Sequence, residues 1–94
     1  MITVIAKLKV KEGKMDEAIN ALKKAVQRIR DTEPGCIAYV PHTVKGDSTT
    51  ILFYEKYRDK EALQSHSQNL GQSLSDVLPL LEPGMEINIC SEIL

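Results

Sequence analysis

Apolar residues fall at every second position over residues 2–11, ITVIAKLKVK. Ile2, Val4, Ala6, Leu8 and Val10 share one side, and Thr3, Ile5, Lys7, Lys9 and Lys11 share the other, so this stretch reads as a half-buried strand. Glu12-Gly13 ends it. Over residues 14–32 the period changes. Met15, Ala18, Ile19, Leu22, Ala25, Val26 and Ile29 form one apolar stripe at helical spacing. Asp16 and Glu17 lie in the first turn of that helix and Arg28 and Arg30 near its last, each placed favourably for the helix dipole. Pro34 stops the helix, and Gly35 is expected to permit the turn back.

Residues 36–44, CIAYVPHTV, read as a strand. Pro41 cannot donate to a ladder, which places this strand at a sheet edge. Lys45-Gly46-Asp47-Ser48 reads as a hairpin loop. Residues 50–57, TILFYEKY, form the next strand, with Ile51, Phe53, Glu55 and Tyr57 on one side and Leu52, Tyr54 and Lys56 on the other. Asp59 is placed to cap a second helix. The stripe of that helix runs through Leu63, Leu70, Leu74, Val77, Leu78 and Leu81, and Asn69 and Gly71 are candidates to kink or split it. Glu82-Pro83-Gly84 ends the segment. Residues 85–93 alternate again, with Met85, Ile87, Ile89 and Ile93 together.

The order β-α-β-β-α-β, with right-handed crossovers, predicts an α+β ferredoxin-like domain over residues 1–94. Its antiparallel sheet takes the order 4-1-3-2 and carries both helices on one face. Apolar residues remain on the other face, where Ile5, Leu52, Tyr54 and Tyr39 would be left partly exposed in a monomer. Such a patch predicts that two sheets pack face to face in a homodimer. The limited core available to 94 residues points the same way.

Composition narrows the partners. A net charge of −1 argues against a nucleic-acid partner. No apolar run is long enough to cross a bilayer, and the charged, alternating start is unlike a signal peptide, so a cytoplasmic setting is expected. Cys36 and Cys90, the two cysteines, fall on opposite edge strands. Three strand gaps of roughly 4.8 Å separate them by about 14 Å, beyond the reach of a disulfide. They are expected as free thiols. The two histidines and two cysteines lack metal-ligand spacing, and no glycine-rich phosphate loop is present, so neither a metal nor a nucleotide cofactor is expected.

The candidate chemistry centres on Phe53–His66, FYEKYRDKEALQSH. Glu55 lies on a strand and His66 about two turns into the following helix. If that helix packs on the sheet, a carboxylate and an imidazole meet across a pocket. His66 is suited to proton transfer near neutral pH, and Glu55 to fixing the imidazole tautomer. Tyr39, Tyr54 and Tyr57 offer phenolic donors and stacking surface, and Phe53 an apolar wall. Each residue also has a structural reading: His66 as filler between helix and sheet, Glu55 in a salt bridge, the tyrosines as core or interface. His42 reads as a solvated edge residue.

Three stretches, MITVIAKLKVKEGK, EPGCIAY and YEKYRDKEALQSH, resemble the antibiotic biosynthesis monooxygenase family. The resemblance implies a small dimeric α+β barrel. It implies chemistry of the kind found in quinol monooxygenases and autoinducer-2-degrading enzymes. His66 matches the family's first helical histidine, whereas Gly71 stands where many members carry a second. Tyr57 stands where Trp is usual, as in the autoinducer-degrading branch. The absence of Trp, and of Asn in the first strand, separates the chain from the haem-degrading branch. The favoured reading is a cofactor-independent monooxygenase acting on a quinol or similar small aromatic, with His66 as acid/base and Glu55 as its partner. An autoinducer-2-type isomerase or degrading enzyme and a non-catalytic ligand-binding dimer stay open.

Overall fold

The computed structural model describes residues 1–94. Its elements are β1 (Ile2–Lys9), α1 (Met15–Thr32), β2 (Cys36–Val44), β3 (Asp47–Tyr57), α2 (Lys60–Ser73), a 3-10 turn (Leu78–Leu80) and β4 (Glu86–Ser91). The strands form one antiparallel sheet in the order β2-β3-β1-β4, the expected ferredoxin-like arrangement read from the other edge. Strand β2, with Pro41, is indeed an edge. Cys36 and Cys90 lie on opposite edge strands and are free thiols. No helix is long and apolar enough to cross a membrane.

Register determines which side chains meet. Directly opposed residues in an antiparallel ladder share a face. One row across the sheet is Tyr39, Glu55, Val4 and Ile89; the next is Pro41, Phe53, Ala6 and Ile87. Both rows lie on the face that carries the helices. The expectation that Tyr39 faces away from them is therefore corrected. A register shift between Cys36 and Ala38 resets the strand's alternation, and Tyr39 pairs with Glu55 in the core at 2% exposure. Ile5, Leu52 and Tyr54 do lie on the opposite, outer face.

The hairpin is tighter than expected. Strand β3 begins at Asp47, leaving Lys45-Gly46 as the turn, with Gly46 at φ +83°. A residue with a Cβ would be strained there. Helix α1 buries Ala18, Leu22, Ala25, Val26 and Ile29, the stripe anticipated from spacing. Gly35 does not serve as a left-handed hinge. It is a point of close approach: a Cβ added there would lie 2.5 Å from Ala62 Cβ, so α2 rests directly on the start of β2.

Helix α2 starts as expected. Asp59 is its N-cap and accepts from Ala62 N at 2.9 Å. The end differs. Gly71 sits within the helix without breaking it, and α2 stops at Ser73. Leu74 and Val77 are still buried, but the chain then turns down onto β1. Lys11 N donates to Leu80 O and Glu82 N to Lys9 O, with a bridge between Val10 and Leu81. These bonds to the end of β1 draw the apolar stripe off the helix axis. As a result no helix covers β4, and Met85, Ile87 and Ile89 remain 37%, 52% and 68% exposed.

Candidate active site

Three elements bring four side chains together around one imidazole, its own included. On β3, Glu55 and Tyr57 are two residues apart and so point to the same side. Helix α2 brings His66 down onto that side. The fourth group, Glu33, caps the C-terminal end of α1, next to the tight Gly35–Ala62 contact that seats α2 on β2.

His66 Nδ1 lies 2.9 Å from Glu33 Oε1, and His66 Nε2 lies 3.8 Å from Glu55 Oε1. The imidazole is 3% exposed and Glu55 6%. Tyr57 OH donates to Glu55 Oε1 at 2.6 Å. Aromatic rings enclose the imidazole: the centroids of Tyr39 and Tyr57 are 5.0 and 5.1 Å from it, and Tyr39 is 5.1 Å from Phe53.

The proton positions follow from these distances. With Glu33 ionised, Nδ1–H donates to it, and Nε2 is left as the basic nitrogen. No fully sealed side-chain nitrogen or oxygen in the protein lacks a partner. Nε2 makes no hydrogen bond, its nearest charged neighbour being Glu55 at 3.8 Å, so it is open to the space beside it. That space is a chamber of about 150 Å³. Tyr39, Phe53, Glu55 and His66 line its inner part, and Ile87 and Ile89 stand at its mouth. A cavity of about 150 Å³ lined by apolar side chains accepts a benzene-sized ring.

Burial governs the ionisation of the surrounding groups. Glu55 is raised above the ordinary glutamate range mainly by desolvation, against which the Tyr57 hydrogen bond and His66 work, while Glu33 adds a like charge. Tyr39 and Tyr57 are held well above the normal phenol range, first by burial and then by the carboxylates around them, so both stay protonated. Burial also pushes the Cys36 thiol up to about 11, with Glu33 and Glu55 adding to the effect. This cysteine is a thiol at neutral pH and a poor nucleophile.

The structure thus brings together Tyr39, Phe53, Glu55 and His66. Tyr57 is buried behind Glu55, does not line the chamber, and spends its donor on the carboxylate. Tyr54 lies on the outer face, 37% exposed beside Ile5, Val40 and Leu52, with the whole sheet between it and His66. It takes no part in this cluster. His42 is exposed, with Nδ1 3.3 Å from Leu52 O. Sequence reasoning missed Glu33, which entered only as the first residue of the EPGCIAY stretch. The available signal was its sign: a carboxylate at a helix C-terminus opposes the dipole and needs a compensating donor.

The arrangement supports proton transfer at a ring-sized apolar chamber. It provides a base at Nε2, a phenolic donor at Tyr39, and a carboxylate at Glu55 able to balance an imidazolium.

Several comparisons place the chain. A Caulobacter crescentus protein named for the antibiotic biosynthesis monooxygenases superposes with a TM-score of 0.88 at 22% identity, over 98% of this chain and 89% of that one. A Nitrosomonas europaea protein of the same description gives 0.85 at 20% identity, covering both chains fully (100% of each). A conserved protein from Methanosarcina mazei gives 0.82 at 26% identity over 95% and 89% of the two chains. An uncharacterized protein of Synechocystis is 34% identical over 67 residues, which span 71% of this chain but 45% of that protein's length. The family model described as antibiotic biosynthesis monooxygenase matches residues 1–72, and the chain belongs to that family.

Proposed function

We propose that this protein is a cofactor-independent monooxygenase that oxidises a quinol or a similarly small, electron-rich aromatic. The observation that carries the reading is the unpartnered Nε2 of His66, held by Glu33 on its far side and facing a chamber of ring size.

The chemistry follows from those positions. A hydroquinone binds with its ring against Phe53 and Tyr39. His66 Nε2 takes a phenolic proton, and Glu55 offsets the imidazolium that results. Tyr39, kept protonated by burial, donates to the remaining ring oxygen. The phenolate is electron-rich enough to reduce dioxygen directly. One oxygen atom enters the ring and the other leaves as water, the ring giving up the four electrons that dioxygen accepts. The product is a hydroxyquinone.

The test is oxygen consumption with hydroquinone, with mass spectrometry of the product formed under labelled dioxygen. The wild-type protein is expected to place one labelled atom in the product. His66→Ala is expected to lose at least about 100-fold in rate, the usual contribution of a general base. Equal rates in the two proteins would remove His66 from the mechanism. Turnover without oxygen would replace oxygenation by an isomerase-type proton transfer at the same imidazole.

A further inference from the structure

The chamber is not the only concavity on the helix side of the sheet. A groove of about 540 Å³ runs between α1 and the edge strand β2, and it shares no lining residue with the chamber. Its floor is apolar, built from Ile19, Leu22, Val26 and Ile51. Its polar rim is one-signed: Lys23 and Arg30 on α1 stand across from the Pro41–Thr43 edge of β2, and no Asp or Glu lines it.

Charge and hydrogen bonding leave this rim unsatisfied. Neither Lys23 nor Arg30 is within 4.0 Å of a carboxylate, since every ion pair in the molecule involves other residues. The nearest acid along the helix, Asp31, is taken by Gln27 at 3.0 Å. Arg30 Nη2 donates to Tyr39 O at 3.3 Å, a half-buried bond that fixes the guanidinium at one end of the groove and leaves its other donors free. His42 Nδ1 lies 3.3 Å from Leu52 O, on the outer side of β2, and leaves the charge of the rim to Lys23 and Arg30.

We propose that this groove is a second binding site, for a small organic carboxylate with an apolar body. The body packs on Leu22, Val26 and Ile51, and the carboxylate reaches Arg30 and Lys23. An uncharged analogue keeps the packing and loses the charge-assisted bonds, whereas inorganic anions keep the charge and lose the floor.

Titration of the isotope-labelled protein with phenylacetate, followed by amide chemical shifts, tests this, with phenylacetamide as the neutral match. Phenylacetate is expected to shift Lys23, Gln27, Arg30 and Thr43 saturably, with a dissociation constant of about 1 mM. Phenylacetamide is expected to bind about tenfold more weakly. Lys23→Gln, on an exposed position, is expected to weaken phenylacetate about fivefold and leave phenylacetamide unchanged. The combined Lys23→Gln, Arg30→Gln variant is expected to bind the two ligands equally. Equal affinity for the two ligands in the wild type would overturn the proposal. So would shifts confined to chamber residues such as Leu63, His66 and Leu70, or an unaltered difference in both variants.

Discussion

Glu55 is the residue at which the proposed function and stability pull apart. A buried acid with a folded pKa above its unfolded value binds protons more tightly on folding. Its contribution is therefore most favourable below the ordinary glutamate range and is lost as pH rises through the folded value. Desolvation dominates here over the Tyr57 hydrogen bond and the His66 charge, and Glu33 adds to it. Glu55→Gln keeps the shape and still accepts from Tyr57 OH. Its melting temperature is expected to match wild type near pH 4, to exceed it increasingly as pH rises through the folded value, and to keep that lead at pH 8, while oxygenation falls. Each pKa unit of elevation corresponds to about 1.4 kcal/mol. A scan of melting temperature against pH checks this. A gap that is constant, or that favours wild type at pH 8, would show that His66 stabilises the carboxylate more than burial penalises it.

The same residues show how much of the site was legible. Phe53, Glu55 and Tyr57 fall on one face because a regular strand alternates without exception, and His66 returns to that face because the Asp59 cap fixes where the helix begins. Tyr39 was a candidate from its chemistry, but the face it takes was not legible, since the irregularity between Cys36 and Ala38 depends on pairing with β3 rather than on the strand's own composition. Glu33 was hidden differently. It sits in a sequence whose helix-stopping chemistry fully accounts for its neighbours, and its partner, His66, is 33 residues away.

At the scale of elements, the decisive contact is the one that seats α2 on the sheet. Gly35 and Ala62 are both small, and the spacing between them leaves no room for a methyl group on Gly35. Gly35→Ala is expected to cost about 1–3 kcal/mol, the range for forced overpacking. It also lifts α2 and lengthens the Glu33–His66 bond, so activity falls with stability. Ala62→Gly in the same chain removes the opposing methyl and is expected to recover most of the loss, giving a coupling energy measurable in a double-mutant cycle. If the two substitutions are additive by denaturant unfolding, the contact is not what positions the helix. The elements themselves were legible from period and punctuation. The end of α2 was not, because bonds from the end of β1 to Leu80 and Glu82, distant in sequence, end the helix before its apolar stripe runs out.

At the scale of the molecule, the open question is what covers the sheet's outer face. Helices protect one side alone. Ile5, Val40, Leu52 and Tyr54 line a shallow depression on the other, with Tyr54 37% exposed. In a chain of 94 residues, with a limited core, a half-exposed apolar face of this kind marks an interface. Two such faces stacked at about 10 Å would interleave their side chains as sheets in sandwiches do. The expected species is a homodimer, which light scattering after gel filtration would report as twice the chain mass of 10.5 kDa. Leu52, near the centre of the face and pointing away from the chamber, is the residue to change. Leu52→Glu places a charge opposite its own symmetry mate, because a two-fold interface apposes the same patch from both copies. It is expected to yield a monomer that stays folded, since the helix-side core is untouched. A wild-type chain that elutes as a monomer at micromolar concentration, or a Leu52→Glu variant that stays dimeric, would show that the outer face is not the interface. Attention would then pass to the other uncovered apolar surface, Ile87 and Ile89 on β4, where a second copy would also close the mouth of the chamber.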